Sequence, residues 1–132
     1  MKKIVFPNKL SGISHQVTQQ TIENYARVAG DHNPIHIDEA FAAKTSYGRT
    51  IAHGMLVMAF ISELMTEAFG MEWVAGGKLR AKFRGPVFPG DTVTTTASLE
   101  AVNNEVARYA FTISNQDGDK VVTGLASLTK TK

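Results

Sequence analysis

The chain of 132 residues contains no cysteine, only four prolines and a single tryptophan. Without cysteine it can form neither a disulfide bond, nor a zinc site built from thiolates, nor a thiol nucleophile. Missing disulfides are also typical of proteins that remain in a reducing compartment. We therefore predict a cytoplasmic location.

Long apolar runs and a strong excess of one charge are missing as well. The longest unbroken apolar run is Met55–Ile61, far short of the roughly 20 residues that a membrane-spanning helix needs. Near the start, Pro7, Asn8 and Lys9 interrupt the apolar residues, which argues against a secretory signal. The net charge is only +2, whereas nucleic-acid-binding proteins usually concentrate a larger basic excess. We expect neither a membrane nor a nucleic acid as a partner.

The composition is that of an ordinary globular protein, with 43% apolar and 20% charged residues. A chain of this length can bury one substantial hydrophobic core. No repeat, linker or low-complexity stretch divides it. The sequence therefore predicts a single domain over residues 1–132.

The first half of the chain has the pattern of helices. After a short predicted strand over residues 13–17, Thr18 is a typical N-cap and Gly30 a typical helix end. The apolar stripe between them consists of Ile22, Tyr25, Ala26 and Ala29. Asp31–Ile37 contains an asparagine and a proline, which predicts an ordered loop. Asp38 can cap a short helix that follows.

A second long helix is predicted from Gly54 to about Phe69. Its first two turns, Met55–Ile61, have no polar face. A helix that is apolar all round is expected to lie inside the core.

The second half of the chain alternates with the period of a strand. Leu79, Ala81 and Phe83 would point to one face, and the other would carry Lys78, Arg80, Lys82 and Arg84. Further strands are predicted over residues 93–101, 105–113 and 121–128, with turns at residues 103–104 and 115–118. The apolar face of such a sheet needs a cover. We therefore predict an α+β fold, in which a curved antiparallel sheet wraps around the apolar helix.

The segment Gly30–His36 is the densest polar cluster, and it contains two acid/base groups, Asp31 and His36. Pro34 stiffens the backbone between them, and Asn33 can stabilise a turn with its side chain. A rigid loop that directs a carboxylate and an imidazole to one point can orient and deprotonate a water. Taken alone, however, the pattern favours an ordinary turn, in which these residues have only local roles.

Gly54, at the start of the apolar helix, is a candidate anion-binding position. The first N–H groups of a helix have no partner within it and carry partial positive charge. A glycine there lets a ligand oxygen approach closely, as an oxyanion site requires. The alternative is that Gly54 only permits close packing between helix and sheet.

A metal site built from Asp31, His32, His36 and His53 is not expected. Pro34 prevents His32 and His36 from sharing one helix face, and no further ligand-rich segment could complete a coordination shell. We predict no metal and no cofactor.

Three segments resemble one known family. Tyr25–His36 resembles the hydratase 2 motif of MaoC-like proteins, to which the (R)-specific enoyl-CoA hydratases belong. Thr50–Met55 and Phe83–Asp91 are similar to further segments of that family. The resemblance extends over nearly the whole chain.

This resemblance implies a hot-dog fold, a homodimer, and the reversible hydration of trans-2-enoyl-CoA to (3R)-3-hydroxyacyl-CoA in fatty-acid or polyhydroxyalkanoate metabolism. It implies that Asp31 and His36 are the catalytic pair and that the Gly54 amide binds the thioester oxygen. Which member of the pair is the base stays open, since a close pair titrates as a unit. Acyl-CoA is then the expected substrate, and an acyl carrier protein remains a candidate carrier. The residues assigned to substrate binding are Asn33, His53, Met55, Ser62, Lys78 and Arg80.

The two cations in that set belong to the basic row on the second predicted strand. Such cations would attract the phosphates of CoA or the acidic surface of a carrier protein. An ordinary solvated strand face would look the same.

Three alternative functions remain at this point. One is a 3-hydroxyacyl-carrier-protein dehydratase, which runs the same chemistry in the opposite direction. Another is a hot-dog acyl-CoA thioesterase, which would hydrolyse the thioester instead. The third is a non-catalytic acyl-CoA-binding module.

Overall fold

A computed structural model describes residues 5–129. The two ends of the predicted single domain, residues 1–4 and 130–132, lie outside the described part. The elements in chain order are β1 (Lys9–Gln16), α1 (Gln19–Ala29), α2 (Pro34–Ile37), α3 (Glu39–Ala42), α4 (Gly54–Phe69), α5 (Met71–Gly76), β2 (Lys78–Phe83), β3 (Thr92–Asn103), β4 (Val106–Ser114) and β5 (Lys120–Thr129). No helix within residues 5–129 is long and apolar enough to cross a membrane.

The strands form one five-stranded sheet in the order β1-β3-β4-β5-β2, and every neighbouring pair is antiparallel. One face of the sheet is apolar. On β4, for example, Tyr109, Phe111 and Ile113 are all buried. On the edge strand β2, Leu79 and Ala81 are half-buried, whereas Lys78 and Arg80 are exposed. The alternation predicted from the sequence is thus confirmed.

The long helix α4 packs on the apolar face of the sheet. Its buried side chains are Leu56, Val57, Ile61, Leu64, Met65 and Phe69, and they share one core with the buried strand residues. Ile61 is 0% exposed, and the full burial of such a side chain stabilises a fold by about 1.5–3 kcal/mol. The predicted α+β architecture, a hot-dog fold with α4 as its central helix, is confirmed.

The prediction that α4 is buried all round is wrong for one face. Met55 is 56% exposed, and Ala59 is exposed as well. The reason is geometric, because the sheet of a single chain contacts only one side of the helix. An apolar strip therefore remains on the surface of the single chain.

The ends of the helices follow the sequence closely. The Thr18 side chain accepts a hydrogen bond from the Thr21 N–H at 3.1 Å, and Gly30 ends α1 with a left-handed φ of 73°. Asp38 caps α3 through the Phe41 N–H. The caps at Thr18 and Asp38 and the helix end at Gly30 are confirmed.

The predicted loop over residues 31–37 is wrong in its second half, which forms the helical turn α2. Pro34 occupies the first turn, where its missing N–H costs nothing and its fixed φ suits a helix. The Asn33 side chain accepts from the Ile35 N–H at 3.1 Å and so caps the turn. The residues that were expected to break a helix therefore begin one.

Two further details differ from the prediction. The hairpin turn between β3 and β4 lies at Asn104 and Glu105, whose φ values are 51° and 67°, one residue later than expected. Positive φ at both central residues is typical of the type I′ turns that join twisted strands. The short helix α5 was not predicted, and its Trp73 is buried in the core.

Candidate active site

His36 lies on α2 and is held from two sides. Its Nδ1 lies 2.8 Å from the Ile51 carbonyl oxygen, and the Gln19 side chain donates to the His36 carbonyl at 3.0 Å. A carbonyl oxygen only accepts, so Nδ1 carries a hydrogen. Nε2 makes no hydrogen bond within residues 5–129 and is the ring nitrogen left for a water or a substrate.

Asp31 follows the left-handed end of α1 and is exposed. Its carboxylate accepts a hydrogen bond from the Asn33 N–H at 3.2 Å, the geometry of an Asx turn. Its side chain, that of His36 and that of His53 bring three ligand atoms within 4.8 Å of one another. The fold thus brings the two predicted acid/base groups together, close enough for one water to bond both with ordinary lengths of about 2.8 Å.

His53 packs against this pair from the N-terminus of α4. Its ring stacks on that of His36, with centroids 3.8 Å apart and planes at 26°. It is only 2% exposed, and its Nε2 lies 3.0 Å from the Asp31 carbonyl oxygen. Nε2 therefore carries the hydrogen, and the buried Nδ1 has no hydrogen-bond partner among residues 5–129. Burial lowers the pKa of His53 below its ordinary value, which favours the neutral form of the ring.

The geometry corrects one part of the sequence argument about metals. Three of the four residues considered there, Asp31, His36 and His53, do converge, because α4 returns to the loop that carries the other two. Each imidazole already donates one N–H to a backbone carbonyl, and the second nitrogen of His53 is buried. Of the three residues that converge within the described part of the chain, only Asp31 and His36 then keep a ligand atom open to an ion, namely the carboxylate and Nε2. Two protein ligands are fewer than the three of typical catalytic zinc sites.

Gly54 is the first residue of α4 and borders a surface hollow of about 290 Å³. The Val57 N–H bonds the His53 carbonyl at 3.3 Å, so the N–H groups of Gly54, Met55 and Leu56 have no acceptor within the helix. A Cβ at position 54 would lie 3.0 Å from the Phe83 ring. Glycine therefore keeps open the space beside an N–H group that has no acceptor among residues 5–129. The hollow is lined by Tyr47, Ile51, Ala52, Gly54, Val57, Phe83, Arg84, Gly85, Pro86, Val87 and Val122.

The structure places the remaining predicted binding residues at different distances from this centre. Asn33 caps α2 and so supports the loop. Met55 follows Gly54 directly, with an exposed side chain. Ser62 is half-buried on α4, and at 1.5 Å per residue it lies about 12 Å further along the axis than Gly54. Ser62 is therefore separated from the Gly54 amide by two helical turns.

Lys78 and Arg80 are not brought to the Gly54 hollow within one chain. Both line a separate hollow together with Arg108, because β2 alternates and directs them away from α4. Arg84, the last cation of the predicted basic row, does line the hollow beside Gly54. Its Nε donates to the Thr123 hydroxyl at 2.9 Å.

Sequence reasoning missed a supporting pair behind the site. The buried Thr50 donates its hydroxyl to the Gln19 side-chain oxygen at 2.7 Å, and the same amide donates to the His36 carbonyl. Thr50 lay within a segment that resembled the known family, whereas Gln19 stood outside every motif. Only the folded geometry identifies Gln19.

The fold and this centre define the class to which the chain belongs. Residues 8–122 match the MaoC-like domain family, and the chain is a member of that family. It is 35% identical over 108 residues to the (R)-specific enoyl-CoA hydratase of Aeromonas caviae, covering 77% of this chain and 78% of that protein. It is 29% identical over 118 residues to the 3-hydroxybutyryl-CoA dehydratase of Methylorubrum extorquens, covering 89% of this chain and 75% of that protein.

Solved structures support the same grouping. The (R)-hydratase of A. caviae involved in PHA biosynthesis superimposes with a TM-score of 0.84 at 29% identity, covering 99% of this chain and 100% of that one. The R-hydratase of Pseudomonas aeruginosa superimposes with a TM-score of 0.83 at 28% identity, covering 98% of this chain and 83% of that one. The family expected from the sequence motifs is confirmed.

Proposed function

We propose that this protein catalyses the reversible addition of water to a trans-2-enoyl-CoA, giving a (3R)-3-hydroxyacyl-CoA. The observation that carries the proposal is the convergence of the Asp31 carboxylate and the His36 imidazole within 4.8 Å, next to a helix that begins with a free Gly54 N–H. Similarity to the hydratase of A. caviae and the dehydratase of M. extorquens supports it. Their names describe the two directions of this reaction.

In the proposed mechanism, Asp31 and His36 hold one water over C3 of the enoyl thioester. As the water oxygen bonds to C3, one member of the pair takes up a water proton, and the pair returns a proton to C2. The other member keeps the water oriented. Nε2 is the His36 atom available to that water, because Nδ1 is bonded to the Ile51 carbonyl.

Gly54 acts on the carbonyl end of the same substrate. Electron density moves onto the thioester oxygen as C3 is attacked, and a preorganised N–H at that oxygen stabilises it. The N-terminal end of α4 adds partial positive charge. Arg84, in the same hollow, is the cation available to a substrate anion there.

The proposal extends to the assembly and setting of the protein. Met55, 56% exposed, and Phe83, 52% exposed, leave apolar surface beside the hollow, and a second copy in a homodimer would cover it. Residues 1–132 act as a single domain, in the cytoplasm, in fatty-acid or polyhydroxyalkanoate metabolism. Sedimentation equilibrium tests the dimer, and a monomer at micromolar concentration would contradict it.

Incubation with crotonyl-CoA tests the reaction. A hydratase removes the conjugated absorbance without releasing thiol, and chiral analysis should give the (3R) product. Release of free thiol would instead identify a thioesterase. Unchanged substrate, in the presence of a folded protein, would leave only a binding role and overturn the proposal.

The carrier is tested by comparing crotonyl-CoA with a crotonyl group on an acyl carrier protein. The chain is 33% identical over 92 residues to the 3-hydroxyacyl-thioester dehydratase Z of Mycobacterium tuberculosis, covering 67% of this chain and 61% of that protein. The name of that relative does not specify the carrier of the thioester. We expect the higher kcat/KM with CoA. A clear preference for the carrier protein would make the chain a carrier-protein dehydratase.

A further inference from the structure

We propose that His53 is a positioning residue for the proposed hydration, one that holds both members of the acid/base pair and does not contact the substrate. This inference deepens the proposed function and rests on it. It also revises the substrate-binding role that the sequence suggested for His53. The basis is a pair of contacts that one buried ring makes to Asp31 and to His36.

The His53 side chain is too deeply buried for a direct contact with the substrate. The side chain is 2% exposed, and both of its nitrogens are withdrawn from solvent. Nε2 donates to the Asp31 carbonyl, and Nδ1 is fully buried. A substrate atom in the hollow beside Gly54 would therefore meet no polar atom of the His53 side chain.

The first contact fixes the ring of His36. The Ile51 carbonyl holds one edge of that ring through Nδ1, but a single hydrogen bond lets an imidazole swing about the bonded atom. The face of His53, 3.8 Å away between centroids, blocks that swing on one side. The two contacts together fix the direction in which Nε2 points.

The second contact fixes the backbone of Asp31. This residue follows the left-handed Gly30. Its N–H bonds the Ala26 carbonyl at 3.0 Å and its carboxylate bonds the Asn33 N–H, but both contacts are local and neither ties the residue to α4. The 3.0 Å hydrogen bond from His53 Nε2 ties its carbonyl to the N-terminus of α4. The carboxylate is thereby held in register with the helix that carries Gly54.

The neutral form of His53 is the one that suits this buried position. The ionisable groups facing it are Asp31, His32 and His36, and Tyr25 packs against its ring with centroids 4.8 Å apart. Protonation would place an N–H on the buried Nδ1, which has no acceptor within residues 5–129. It would also set a positive charge against the ring of His36. Burial of the ring disfavours its charged form and lowers the pKa of His53 below the ordinary value.

Two variants separate the two contacts. His53→Phe keeps a ring to stack on His36 but cannot donate to Asp31, and His53→Gln keeps an N–H donor but removes the ring. We expect each to lower kcat by about 10- to 100-fold, since small misplacement of reacting groups costs this much, with KM for crotonyl-CoA changed less than about three-fold. His15→Gln is the matched control, because His15 also stacks on an aromatic ring, that of Phe60, away from the site. It should keep the wild-type kcat.

Nitrogen-15 NMR of the histidines gives a readout that needs no activity. In the wild-type protein we expect a single His36 tautomer with the hydrogen on Nδ1, and in His53→Gln a mixture of tautomers. This measurement still tests positioning if the wild-type protein proves not to be a hydratase. Near-native circular dichroism identifies the folded variants, and either folded variant is sufficient.

Three results would overturn the inference. One is a wild-type His36 tautomer in a folded His53→Gln variant. Another is an increase in KM with kcat unchanged, which is the signature of lost substrate binding. The third is wild-type kcat in either folded His53 variant.

Discussion

A proline at position 54 removes one N–H group from the protein and leaves the surrounding backbone almost unchanged. Gly54 is the first residue of α4, and proline is favoured there because it has the φ of a helix. The residue before a proline must be extended, and His53 already has φ −61° and ψ 138°. Gly54→Pro is therefore compatible with the fold while it deletes the proposed donor to the thioester oxygen.

The added bulk requires a control, because a Cβ at position 54 would lie 3.0 Å from Cε1 and 3.2 Å from Cζ of Phe83. Gly54→Ala introduces the same carbon atom but keeps the N–H. Phe83 is 52% exposed, so its ring can turn aside by a few tenths of an ångström. Combining each change with Phe83→Leu relieves the contact altogether.

Removing one donor from an oxyanion site typically costs about 10²–10³ in kcat, or about 2.7–4 kcal/mol. We expect the proline variant to lose this factor relative to the alanine variant, both in the wild-type background and with Phe83→Leu. The alanine variant should lose less than about ten-fold, because a donor remains and only access narrows. The comparison between the two substitutions isolates the N–H from the bulk.

Initial rates with crotonyl-CoA, followed as the loss of conjugated absorbance, measure these differences. Thermal unfolding shows whether each variant is folded. Equal rates for folded proline and alanine variants would refute the role of the Gly54 N–H, whatever their absolute values. The hollow would then bind the acyl group by shape alone.

Other perturbations test the pair and its supports. Asp31→Asn and His36→Ala should each lower kcat at least about 10²-fold with the fold retained, and near-normal turnover in either would exclude it from acid/base catalysis. The pKa of His53 in the folded chain lies below the ordinary histidine value of 6.5. At pH values below 6.5, the unfolded chain therefore binds a proton that the folded chain resists. The free energy of unfolding should reach its full value above pH 6.5 and decrease as the pH drops, by at most about 1.4 kcal/mol per pH unit. Urea titrations at several pH values should show a smaller decrease for His53→Gln. Tyr109→Phe should cost about 0.5–1.5 kcal/mol, because it removes the 2.7 Å hydrogen bond to the Pro7 carbonyl, and an unchanged urea midpoint would contradict this.

Local chemistry explains why most of the fold was predictable. Thr18, Gly30 and Asp38 act on the backbone within a few residues, so their roles can be assigned from neighbours in the sequence. The strands were predictable because their alternation matches the two faces of the sheet. What escaped was decided by distant contacts. The helix α5 is too short to show a period, and it forms where Trp73 is buried in the core.

The same distinction applies to the candidate site. Asp31 and His36 are close in sequence, and a helix start such as Gly54 has properties of its own, so these candidates needed no knowledge of the tertiary structure. The role of His53 depends on which ring it faces, and that of Gln19 on a contact between α1 and α2. Lys78 was assigned by charge alone, and charge does not say where a strand face points.

Four consecutive residues hold the two acid/base groups and include the Gly54 N–H, and this sets the geometry of the proposed reaction. Within Ile51–Gly54, the first carbonyl holds His36 Nδ1 at 2.8 Å, His53 holds the Asp31 carbonyl at 3.0 Å, and Gly54 supplies the free N–H. The Ala52 N–H donates a hydrogen bond to the carbonyl of the buried Val87 at 2.8 Å and so anchors the segment. A water held by the acid/base pair and a carbonyl held by α4 are therefore fixed relative to one another by a single stretch of backbone. Hydration needs this fixed distance between the water and the carbonyl site. The water must reach C3 while the N–H group holds the thioester oxygen on C1, two carbons along the same substrate.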